Sequence, residues 1–122
     1  MRPLEREFEH AMYDIYRRAK KECGYNPTRF VQMLSNYGGL ETAKRLLASN
    51  ETQTGLTELY LRGRLDLSME ALVVKDRFVG LFTREERERA VRRLLDLDPC
   101  FFDKNRHDYG WFFGEDARDV DQ

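Results

Sequence analysis

Between residues 4 and 23 the side chains Leu4, Phe8, Ala11, Met12, Ile15, Tyr16, Ala19 and Cys23 return at steps of three and four. That period puts them on one face of a long helix, and a helix with one apolar stripe has to be covered by other elements. Pro3 suits a first turn, and Gly24 stands where a left-handed C-terminal cap belongs. Glu5, Glu7 and Glu9 fall near the start while Arg17, Arg18, Lys20 and Lys21 fall near the end, the order the helix dipole favours.

The same logic continues along the chain. Asn26-Pro27 reads as an N-cap with proline at the first helical position, opening a second helix whose buried face is Phe30, Val31 and Leu34, extended to Tyr37 at its end. Gly38-Gly39 stops that helix and turns the chain into a third, carried by Leu40, Ala43, Leu46 and Leu47. Residues 50–55 are polar and turn-like, and Leu56, Leu59 and Tyr60 predict a short helix closed by Gly63. Leu65 and Leu67 alternate with charged residues, but Ser68 is a good N-cap with Glu70 behind it, so a turn into a helix over Met69–Val73 is preferred to a strand. Phe78, Val79, Leu81 and Phe82 form a further short apolar stretch. Thr83-Arg84-Glu85-Glu86 is a capping box, followed by an apolar stripe of Ala90, Val91, Leu94 and Leu95, and Asp98-Pro99 ends that helix.

The expected fold is therefore all-α: a compact bundle of about six helices, several of them short, with an aromatic C-terminal tail. Residues 1–98 form the helical domain. Residues 99–122 form a tail that packs on the domain or on a partner. Six of the chain's fifteen aromatic residues lie in this tail: Phe101, Phe102, Tyr109, Trp111, Phe112 and Phe113. No helical period organises them. Residues 1–97 carry 18 basic and 15 acidic groups, a net of +3, whereas 98–122 carry 3 and 7, a net of −4.

A length of 122 residues fits one domain. The overall charge of −1 gives no global reason to expect nucleic acid. No apolar run reaches the roughly 20 residues a membrane-spanning helix needs. The charged N-terminus is not a secretion signal, so a cytoplasmic location and reduced thiols at Cys23 and Cys100 are expected.

No glycine-rich phosphate loop, dinucleotide fingerprint or Cys/His zinc spacing is present, and no cofactor or metal is expected. His10 and His107 are the only histidines, and neither has a second at ligand spacing. Arg106-His107-Asp108 fails the spacing of small helical ribonucleases, whose arginine precedes the histidine by several residues. A catalytic role is accordingly not expected. The arginine-rich helix 83–97 can be read as a phosphate-binding row through Arg84, Arg87, Arg92 and Arg93. Glu85, Glu86 and Glu88 sit among these arginines, which favours a solvated, salt-bridged face.

The six tail aromatics exceed what is needed to plug one end of a small bundle, and aromatic rings anchor interfaces at modest entropic cost. They are the leading partner-binding residues, together with the Tyr25–Arg29 turn. The partner is expected to be another protein or a second copy of the chain, with nucleic acid the alternative and no membrane association.

The run Glu7-Phe8-Glu9-His10-Ala11-Met12-Tyr13-Asp14-Ile15-Tyr16, continued by Ala19–Phe30, resembles a family of small, uncharacterised bacterial helical domains. So do Gly38-Gly39-Leu40 with Ala43–Leu47, and Gly63–Leu72. The likeness covers about residues 5–97 and leaves out the tail. The resemblance implies a domain that occurs alone or attached to larger bacterial proteins, some of them nuclease-like and linked to anti-phage defence, and it brings no catalytic residues with it.

Overall fold

The computed structural model describes residues 2–49 and 54–114. All of its regular structure is helical: α1 (Pro3–Cys23), α2 (Thr28–Tyr37), α3 (Gly39–Ala48), α4 (Thr54–Leu61), α5 (Met69–Val73), α6 (Arg84–Leu97) and α7 (Phe101–Lys104). Short 3-10 turns cover Leu65–Leu67, Val79–Leu81, Arg106–Asp108 and Gly110–Phe113. The fold is all-α, with one helix more than the sequence pattern suggests. The extra one is α7, the first turn of the aromatic segment.

The stripe on α1 does what its period requires: Phe8, Met12, Ile15 and Ala19 are buried, and Gly24 caps the helix at φ 66°. Phe8 is fully buried, with its ring edge-on to Phe78 and Phe82 at centroid distances of 5.2 and 5.4 Å. Each such side chain contributes about 1.5–3 kcal/mol of transfer free energy. Helix α3 crosses α1 most closely at Gly39, where a Cβ would lie 2.6 Å from the Glu9 Cα. Glu9 Oε1 accepts a hydrogen bond from the Gly39 amide there, at 2.9 Å.

Helix α5 is short and wholly buried, including Glu70. Ser68 caps it by accepting from the Ala71 amide at 3.1 Å, as its position predicts. The capping box of α6 is complete, with Thr83 Oγ1 accepting from the Glu86 amide and Glu86 Oε1 from the Thr83 amide. The start of α2 differs from expectation. It opens at Thr28 with no side-chain cap, and Asn26 Oδ1 instead accepts from the Tyr16 hydroxyl on α1 at 3.2 Å. A tertiary bond has claimed the side chain that local logic would give to the helix. Leu65 and Leu67 are buried in a 3-10 turn that leads into α5, not in a strand.

One buried ion pair ties three helices together. Arg93 of α6 bonds Glu70 of α5 at 3.1 Å, and its remaining donors reach the Leu46, Leu47 and Ser49 carbonyls at 2.8–3.2 Å. Those carbonyls end α3 and have no intrahelical partner, so the guanidinium acts as their cap. Burial pushes the Glu70 carboxyl above its ordinary value of 4.5, and Arg93 opposes that shift.

Candidate functional site

The aromatic segment divides into two groups with opposite fates. Phe101, Phe102 and Tyr109 are each 2% exposed and belong to the core. They therefore pack on the domain, which corrects their place among the partner-binding residues. Tyr109 also donates its hydroxyl proton to the Ala71 carbonyl at 3.0 Å, and burial holds that phenol well above its usual pKa. The sequence could not separate these rings from the others because no period runs through the segment.

The second group is Trp111, Phe112 and Phe113, on the 3-10 turn Gly110–Phe113. Asp76 fixes the start of that turn by accepting from the Gly110 and Trp111 amides at 3.0 and 2.9 Å. The indole N–H of Trp111 donates to the Val74 carbonyl. Phe112 lies flat on the buried Phe102 ring, with centroids 4.1 Å apart and planes 12° from parallel, and remains 37% exposed. Arg106 covers the Phe113 ring at 3.8 Å. Trp111 is thus held by its polar atom and Phe112 by its inner face, so Phe112 presents an outer face that is already immobilised.

This turn faces α6 across an open groove of about 830 Å³. Its apolar lining is Val91 and Leu95 from α6 with Trp111 and Phe112. Arg84, Arg87, Glu88, Arg92 and Asp96 supply the charged lining. The spacing 84, 88, 91, 95 is one stripe of a helix, while Ala90 and Leu94 point into the core from the stripe beside it. The sequence pattern joins Val91 and Leu95 to Ala90 and Leu94 in one apolar stripe, and the structure leaves them half-buried at the groove. The signal was there, since two adjacent apolar pairs span a wider arc than one helix contact fills.

The arginines also divide. Arg93 is engaged by Glu70 and the end of α3, so it is withdrawn from the nucleic-acid row to which it was assigned. Arg84 pairs with Glu88 at 3.1 Å, and Arg87 bonds the Thr83 carbonyl at 3.4 Å. Arg84, Arg87 and Arg92 all reach the groove that Trp111 and Phe112 border. Two features that the sequence presents separately, the arginine helix and the aromatic tail, are in this way two walls of one surface. No family model, curated protein or solved structure matches the chain. What the groove does must be read from its own chemistry.

Among the described residues no set of three His, Cys, Asp or Glu side chains is placed to hold a metal. His107 lies 3.5 Å from Asp108 on the surface. Cys23 and Cys100 are free thiols. No described helix is long and apolar enough to cross a membrane. The Tyr25–Arg29 turn lies elsewhere, on the rim of a separate cleft of about 700 Å³ beside α2.

Proposed function

We propose that the chain is a non-catalytic protein-recognition module, of the kind that serves a bacterial cytoplasmic system, and that the α6–aromatic-turn groove receives a segment of a different protein. The observation that carries this reading is the outward Phe112 ring, stacked on buried Phe102 and bordering a groove floored by Val91 and Leu95. A ring immobilised before binding loses little entropy on contact, which is the economy of an interface hot spot. The groove's charged lining favours an acidic partner, with three arginines against Glu88 and Asp96. An isologous self-pairing would set two such net-positive linings against each other. A nucleic acid is disfavoured because three arginines against two carboxylates, with Arg93 engaged elsewhere, leave too little positive charge for a row of phosphates, whereas a few carboxylates beside apolar anchors need no more. The fitting occupant is an amphipathic segment with apolar anchors and carboxylates beside them.

Leu95→Glu and Arg92→Glu should each weaken capture of the partner about tenfold or more while leaving helical content intact, as expected for hot-spot and charge-complementary positions. Arg17→Glu, on the outer face of α1, should leave capture unchanged. Quantitative co-purification from the cell of origin checks this. Equal loss with Arg17→Glu, a dimer that dissociates with Leu95→Glu, or a gel shift with DNA or RNA that is abolished by Arg92→Glu would each overturn the reading.

A further inference from the structure

The cleft beside α2 is unrelated to the groove and has a lining of a different kind. Helix α2 buries only Leu34, so its Phe30 and Met33 stand half-covered over open space. The floor of that space is apolar and deep, formed by Ile15, Leu56, Leu59, Leu67 and Met69, all buried. Polar groups gather at the mouth, where Asn26, Gln32, Asn36, Tyr37 and Arg45 are exposed.

Among the described lining residues the charged ones are Arg29, Arg45 and Glu70. Glu70 is 3% exposed and already bonded to Arg93, so it offers a ligand no free anion. Both exposed charges are arginines, and each is engaged by another group of the chain. Arg45 stacks over the Tyr37 ring at 4.0 Å and gives only its Nε to Glu41, at 2.9 Å. Its Nη edge has no hydrogen-bond partner among the described residues. A planar guanidinium held by stacking with two donors free is suited to grip a carboxylate or a similar oxyanion bidentately.

We propose that this cleft is a binding site for a small amphipathic anion, with its apolar body against Met33, Leu56 and Leu59 and its anionic head on the Nη edge of Arg45. A volume of about 700 Å³ lies within the range of small-molecule pockets. A neutral apolar ligand would leave the Arg45 edge unused. A cationic one would meet the Arg45 guanidinium at the entrance.

The test uses the full-length chain and 8-anilinonaphthalene-1-sulfonate, an aromatic sulfonate whose fluorescence rises in apolar sites. Titration should show saturable enhancement on the natively folded protein. Decanoate below its micelle concentration should displace the dye, and decylammonium of the same length should do so at least about tenfold less well. Met33→Trp, which fills the cleft, and Arg45→Glu, which reverses its mouth, should each weaken dye binding about tenfold. Arg45 is exposed, so that variant retains its fold and keeps the test decisive if Met33→Trp does not. Arg17→Glu, exposed and outside both the cleft and the groove, should change nothing. The proposal is overturned by no enhancement, by equal displacement with decylammonium, by undiminished binding in Arg45→Glu, or by loss of binding in Arg17→Glu.

Discussion

Replacing Arg93 with methionine is expected to destabilise the fold by about 3 kcal/mol at neutral pH, the lower end of what removing one partner of a buried ion pair costs. Methionine keeps the apolar stem and its packing, so the loss reports the guanidinium. That group satisfies Glu70, which is 3% exposed, and three carbonyls at the end of α3. Without it a carboxylate is left in an apolar environment and the Leu46 and Ser49 carbonyls lose the Arg93 donors, while the Leu47 carbonyl keeps a bond from Arg89. The deficit should depend on pH, and its sign follows from Glu70. Its folded pKa already lies above the ordinary 4.5 because of burial, and losing Arg93 raises it further. A carboxyl with a raised folded pKa has no penalty while it is protonated in both states, and the penalty grows as pH climbs above the unfolded value. The variant should therefore approach the parent protein as pH falls from 7.5 toward 4.5. Urea unfolding at pH 7.5 and 5.0 checks both points. A neutral-pH loss under about 1 kcal/mol, or a deficit that widens toward acid, would refute the assignment of Arg93 as the keystone of α3, α5 and α6.

The second large effect is expected at Gly39. A methyl group there would sit 2.6 Å from the Glu9 Cα and 3.0 Å from its Cβ, and neither atom can step aside like the end of a flexible side chain. Helices α1 and α3 would have to separate, loosening the core to which Phe8, Met12, Ala43 and Leu47 all belong. Gly39→Ala should cost about 2–3 kcal/mol, in the range of overpacked cores. For a domain of this size that is roughly 6–10 °C in Tm. Gly80 makes the control, because a Cβ there meets nothing within 4 Å. Thermal unfolding within about 1 °C of the parent for Gly39→Ala would mean that the two helices do not approach as described.

These two residues also show where sequence reasoning stops. Gly39 was read with Gly38 as a break in the chain, and the break is real, since Gly38 has φ 82°. The second glycine has a different cause, a backbone contact with a residue 30 positions earlier, which no local pattern records. Arg93 and Glu70 are similar. Each looks like a solvated charge on its own helix, and only the packing of α5 against α6 reveals the pair. Features whose causes are local were legible: the stripe of α1, the Ser68 cap and the Thr83–Glu86 box all stand as spacing and capping chemistry require. The aromatic tail was legible as unusual but not as divided. Phe102 and Phe112 have identical side chains, and which of them is core depends on a turn held by Asp76, 34 residues upstream of Gly110.

The groove formed by that division carries the central claim, and covalent capture at its most exposed ring addresses it directly. In the cell of origin, the photoreactive substitution Phe112→p-benzoylphenylalanine should give on irradiation one dominant adduct with a different protein. Leu95→Glu in the same chain should abolish that adduct, and Arg17→p-benzoylphenylalanine should not form it. A 112-position adduct only with a second copy of the chain, the same adduct from position 17, or none at all would contradict the groove as a docking surface for an acidic protein segment.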